Sequence, residues 1–203
     1  MLITYFGLNC FRLQSNSLSL LIDPFKEKIG LKLPRMQNDI ILYSKEGEST
    51  ISSDKVFIIN GAGEYEIKSC FIYGIPVNHQ QEDKLIFLIE LEGIRLVYLG
   101  LLCQVKFTEA QLEKIEGVDI LMVPVGGGSS LNSQQATVVV NELEPRLVIP
   151  MNYQLSGLKI KLDSLDKFKK ELGAKSEIID KLKISKRELP DEETKLVIIN
   201  PAK

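Results

Sequence analysis

The feature that most constrains the fold is a change of hydrophobic rhythm at Gly100. Before it, residues 2–6, 10–13 and 17–22 read as short strands rich in β-branched, aromatic and leucine side chains, broken by Gly7, Asn16 and Asp23-Pro24. Further strands are expected at 39–43, 55–59, 66–73, 84–91 and 94–99, with Glu92-Gly93 supplying a hairpin turn between the last two. After Gly100, strands alternate with helices. Thr108-Glu109-Ala110-Gln111 has the form of a capping box, followed by Leu112 and Ile115 on one helical face. Residues 118–123 form a continuous apolar run suited to a strand covered on both sides. Asn132 or Ser133 caps a second helix to Leu143, 146–149 is another covered strand, and 162–172 is an amphipathic helix ended by Gly173. Short strands at 176–179, 182–185 and 195–199 complete the chain. Strands first and alternating strands and helices afterwards imply two packed sheets with helices outermost, an αββα sandwich forming one domain over residues 1–203.

Composition narrows the function. With 44% hydrophobic and 26% charged residues the chain is an ordinary globular protein, and its net charge of −2 gives no electrostatic footprint for nucleic acid or an anionic membrane. The lysines at 167, 169 and 170 alternate with acidic and apolar residues, as on a solvated helix face. Cys10, Cys70 and Cys103 are too far apart, and odd in number, for a disulfide framework, so reduced thiols and a cytoplasmic location are expected. No apolar run approaches the roughly 20 residues of a membrane span, and Met1-Leu2-Ile3-Thr4-Tyr5 lacks the basic start of a signal peptide. His79 is the only histidine, which removes the commonest metal ligand almost entirely.

Several segments, taken together and in order, resemble the metallo-β-lactamase-fold hydrolases, in particular the small bacterial subgroup similar to ascorbate-6-phosphate lactonase. They are Ile3-Thr4-Tyr5-Phe6-Gly7 with Cys10-Phe11, Leu21-Ile22-Asp23-Pro24-Phe25, Ile29-Gly30-Leu31-Lys32-Leu33-Pro34 and Gly61-Ala62-Gly63-Glu64-Tyr65-Glu66. Tyr98-Leu99-Gly100, the run from Asp119 to Gly127 and the run from Glu144 to Tyr153 continue the match. The resemblance implies a four-layer αββα metallo-β-lactamase-like fold. It also implies a metal shell carried by a His-x-His-x-Asp-His turn, a further His, a bridging Asp and a final His.

This chain departs from that shell. The turn has Lys45, Gly47, Ser49 and Thr50 at the four ligand positions, Leu101 stands for the bridging Asp, and Asn152 for the final His. Only His79 falls where the family places a ligand. An ammonium at Lys45 and hydrocarbon at Leu101 oppose the charge and coordination that a two-metal hydrolase needs to acidify a bridging water. Read this way, the protein is a non-catalytic scaffold without zinc or another resident metal, binding a small molecule or a protein partner, and self-association is a further expectation from the resemblance. The cleft is expected to be bounded by Asp23, Lys45, Glu46, Glu48, Glu64, His79, Leu101, Gly127 and Asn152.

An alternative keeps hydrolysis of a lactone or phosphoester. Glu46 and Glu48 lie one position off the former ligands and offer oxygen donors suited to Mg²⁺ or Mn²⁺, and His79 alone could act as a general acid or base. Gly126-Gly127-Gly128-Ser129-Ser130 admits two readings, a loop whose amides hold an anion or a tight connection that needs glycine conformations.

Overall fold

The computed structural model describes residues 1–25, 29–45, 55–79 and 82–202, without the side chains of Asn78, His79, Glu82 and Asp83. In chain order the strands are β1 (Leu2–Gly7), β2 (Cys10–Gln14), β3 (Ser19–Ile22), β4 (Ile40–Leu42), β5 (Phe57–Ile59), β6 (Gly63–Ile67), β7 (Cys70–His79), β8 (Glu82–Leu91) and β9 (Ile94–Tyr98). Then come α1 (Glu109–Ile115), β10 (Ile120–Pro124), α2 (Ser133–Leu143), β11 (Leu147–Met151), α3 (Leu165–Leu172), β12 (Ser176–Ile179), β13 (Leu182–Lys183) and β14 (Lys195–Ile199).

Two sheets result. One has six strands in the order β13-β1-β2-β3-β4-β5, the other eight in the order β12-β14-β11-β10-β9-β8-β7-β6. Strand alternation explains how they pack. Leu20, Ile22, Ile40 and Leu42 join one apolar core with Val97, Ile120, Met122 and Ile149 of the eight-stranded sheet. Leu21 and Ile41, one position off, turn to the other face and pack with Phe6, Cys10 and Tyr43 beneath Phe25, Leu33 and Met36. Each fully buried Leu or Ile of this kind stabilises the fold by roughly 1.5–3 kcal/mol before entropy is counted. The helix α2 lies on β10 and packs against α3, with Ala136, Val139 and Val140 as its buried stripe. This layering is the mixed α/β architecture of two packed sheets expected from the sequence.

Direction matters more than layer count. The strands β3, β4 and β5 run parallel to one another, and so do β9, β10 and β11, paired from Ile120↔Leu96 and Ile120↔Leu147 onward. Parallel strands deliver their C-terminal ends to one side, and connections leaving those ends are where ligands gather in such sheets.

Most element ends lie within two residues of the sequence-based expectation, and two elements differ more. The single strand expected at 66–73 is a hairpin, β6 and β7, turning at Lys68-Ser69 with φ of 49° and 61°. Neither residue is a glycine or asparagine, so the composition carries no turn signal. The helix expected from 162 begins at Leu165, because Leu162 N–H bonds the Gln154 side chain and Asp163 N–H bonds the Gly126 carbonyl. Among the described residues no helix is long and apolar enough to cross a membrane.

Candidate functional site

The strand ends are tied together by one carboxylate. Asp23, directly after β3 and held at φ 43°, accepts hydrogen bonds from Asn9 Nδ2 at 2.9 Å, Ser44 N at 2.7 Å and Ser44 Oγ at 2.5 Å. The Tyr98 hydroxyl at the end of β9 lies 2.5 Å from Asp23 Oδ2 and 2.8 Å from the Asn9 carbonyl. Burial pushes the Asp23 carboxyl above its ordinary range, while the Ser44, Tyr98 and Asn9 donors pull it back. The Tyr98 hydroxyl is pushed well up, first by burial and then by the charge of Asp23, and the buried Cys10 thiol is raised for the same two reasons. The Tyr98 hydroxyl thus keeps its proton at neutral pH and serves as a fixed donor.

From this knot the hydrogen bonds continue around the strand ends. Ser44 O accepts from Leu85 N on β8, and Lys45 forms an isolated antiparallel bridge with Lys84. A Cβ on Gly100, at φ 55°, would lie 2.7 Å from Ser44 Cβ, so only glycine lets the chain after β9 come this close. Leu102 O then accepts from Leu131 N, ahead of α2. Past β11, Asn152 at φ 54° is buried, donates through its backbone N to Leu8 O at 2.6 Å and through Nδ2 to Ser130 Oγ at 2.8 Å.

Hydrogen bonds and chain neighbours thus link the segments that carry Asp23, Lys45, Leu101, Gly127 and Asn152 at these strand ends. Glu64 is not among them: its side chain is 70% exposed on the outer strand β6 and faces Lys114 of α1 at 3.9 Å. Glu46 and Glu48 lie outside the described residues, and His79 is described only as the backbone end of β7, paired with Glu82. The glycine loop is a tight connection, with Gly127 and Gly128 at φ 70° and 69° and the Gly127 amide donating to Leu131 O. Sequence reasoning overlooked Asn9, Ser44, Tyr98 and Ser130. The one available signal was a polar residue beside each motif, and nothing in a sequence says that those four converge.

The donor chemistry of the described side chains does not fit a metal shell. No three His, Cys, Asp or Glu among them converge, the Asp23 oxygens are engaged by four donor atoms, the Asn152 amide nitrogen is engaged by Ser130, and Leu101 offers only hydrocarbon.

Comparison with known proteins nevertheless corrects the reading of the chain as a scaffold without metal. A UPF0173 metal-dependent hydrolase of Thermococcus onnurineus is 28% identical over 160 residues, 75% of this chain and 68% of that one. Another of the same name, from Pyrococcus abyssi, is 27% identical over 58% of this chain, which spans only 54% of that relative's length. A candidate zinc-dependent hydrolase of the metallo-β-lactamase superfamily from Thermotoga maritima, whose structure is solved, is 27% identical, with a TM-score of 0.80 over 98% of this chain and 99% of that one. The metallo-β-lactamase fold protein YhfI of Bacillus subtilis, at 12% identity and a TM-score of 0.63 over 97% of this chain and 95% of its own, shares the fold. Relatives named as metal-dependent hydrolases overturn both the non-catalytic reading and the expectation of no metal cofactor. The error has a physical origin: substitutions at the family's ligand positions exclude one arrangement of donors, not every arrangement, and Glu46, Glu48 and the imidazole of His79 are not among the described side chains. The beta-lactamase superfamily domain model matches residues 2–152, so that, with the two-sheet architecture, the chain belongs to the metallo-β-lactamase superfamily.

Proposed function

We propose that this protein is a metal-dependent hydrolase acting on small lactones or phosphoesters in the cleft at the ends of β3, β4, β9, β10 and β11. The observation that carries the reading is the near-complete overlap with the Thermotoga maritima chain at 27% identity. What this chain's own residues contribute is a rigid frame. The Asp23 knot fixes Ser44 and Lys45 against Gly100, and the Asn152–Ser130 bond fixes the opposite wall. On this reading the metal donors differ from the family's usual set, since Lys45, Leu101 and Asn152 replace three of its members.

The test is elemental analysis of protein purified without chelator, joined to turnover of a simple lactone and a phosphodiester before and after chelation. Bound metal, with turnover lost on chelation and restored by Zn²⁺, Mn²⁺ or Mg²⁺, is the expected result. A metal present at 100 times its dissociation constant also stabilises the native state by about 2.7 kcal/mol, a visible rise in thermal midpoint. Metal-free protein with no midpoint shift and no turnover under any of the three ions overturns the proposal.

A further inference from the structure

Asn60-Gly61 is the only asparagine-glycine step in the chain. Ile59 ends β5 and pairs with Leu42, which pairs in turn with Ile22, so Asn60 stands one residue past the paired strands, as Asp23 and Tyr43 do. Both Asn60 and Gly61 are half-buried. Glycine has no side chain to shield its nitrogen, and its backbone turns freely enough to bring that nitrogen to the preceding side chain. Within Gly61 the two polar groups are treated differently. Its carbonyl is engaged, accepting from Tyr65 Oη at 3.2 Å and backing onto Gly74, where an added Cβ would lie 2.6 Å from it. Its N–H donates to no acceptor among the described residues. Other asparagines lack this combination: Asn200 precedes a proline, Ser17 N after Asn16 is taken by Ser15 Oγ, and Asn141 lies inside α2.

We propose that Asn60 is a self-modification site, converted without an enzyme into aspartate and isoaspartate. The Gly61 nitrogen loses its proton to hydroxide and bonds to Asn60 Cγ, while Nδ2 takes up a proton and leaves as ammonia. Water then opens the five-membered imide. Opening at Cγ leaves an aspartate, and opening at the α-carbonyl leaves an isoaspartate with one more methylene in the main chain. In total an amide and water become a carboxylate and ammonium, with no oxidant and no metal. The product places a negative charge at the end of β5, on the side of the sheet where Asp23 lies, and makes the formal net charge of −2 one unit more negative. Because the step needs neither a metal nor turnover, it stands apart from the hydrolase reading.

The experiment incubates the folded protein in mildly alkaline buffer and follows its intact mass, its isoelectric focusing and its tryptic peptide 56–68, with the same peptide made synthetically as reference. The expected result is a mass rise of about 1 Da per chain as an amide becomes an acid. An acidic band running with the Asn60→Asp variant and two new forms of peptide 56–68 accompany it, and all three develop severalfold more slowly in mildly acidic buffer. Gly61→Ala is expected to slow the conversion severalfold, since its methyl group hinders the nitrogen. A folded chain that stays unconverted at Asn60 while the free peptide converts overturns the proposal, and this comparison uses the unaltered protein alone. Conversion as fast in a folded Gly61→Ala variant as in the unaltered chain overturns it too.

Discussion

The carboxylate of Asp23 sits between two opposing effects, burial that favours its protonated form and hydrogen bonds that favour its charge, with burial the larger. A carboxyl raised in the native state binds its proton more tightly there than in the unfolded chain. Its own contribution to stability is therefore greatest below 3.8 and declines as pH rises through the raised native value. Tyr98→Phe removes one of the compensating donors and is expected to cost about 1–3 kcal/mol, read as a lowered urea midpoint at neutral pH; an unchanged midpoint would mean that the hydroxyl adds nothing to the knot. Asp39 behaves oppositely. The Lys68 ammonium beside it and the Ser19 amide hold its carboxyl down from 3.8 to about 2, so its contribution is present above 3.8 and fades as pH falls toward 2. That side chain is a third exposed, so solvent screening keeps the contribution below about 1 kcal/mol. The stability gap between the unaltered protein and Asp39→Asn should accordingly narrow as urea titrations move from neutral pH down through 3.8.

At the scale of elements, local chemistry was legible wherever the backbone's own needs decide the outcome. Thr108 and Asn132 cap α1 and α2 as their side chains predict, each bonding the N–H of the residue three positions on while a glutamine side chain returns the bond. Asn132→Ala is expected to lose about 1 kcal/mol, measured by chemical denaturation. Legibility failed where tertiary context overrode local preference, as at the Lys68-Ser69 turn. Both residues adopt left-handed backbone there, and the Lys68 side chain bonds Asp39 on the other sheet. Ser69→Gly keeps that ion pair and relieves the left-handed strain of a residue with a Cβ. It is expected to raise stability by about 0.5–1 kcal/mol, and a loss instead would show that Ser69 makes up for its strain elsewhere.

For the molecule as a whole, the apolar rhythm before and after Gly100 sufficed to place two packed sheets with helices outside them, because burial acts on every strand and leaves its period in the sequence. The cleft was only half legible. Asp23, Leu101, Gly127 and Asn152 could be placed by motif order, whereas the partners that hold them, Asn9, Ser44, Tyr98 and Ser130, come from four distant stretches of chain and share no pattern. The closest joint in that frame is Gly126, where an added Cβ would lie 2.1 Å from Asn152 O and 3.0 Å from Tyr153 Cα, both backbone atoms that no side-chain rotation can move away. Gly126 also accepts from Asp163 N, so the ends of β10 and β11 and the approach to α3 meet at this one residue. Gly126→Ala is therefore expected to cost about 3 kcal/mol or more, the upper end of overpacking penalties. Gly117→Ala, with nothing within 4 Å of its Cβ and only a φ of 67° to oppose it, should cost about 1 kcal/mol. Equilibrium denaturation of the two variants separates a steric joint from a merely left-handed turn. Equal costs would mean that the wall of the cleft formed by Asn152 yields, and that the frame proposed to hold substrate is softer than its hydrogen bonds imply.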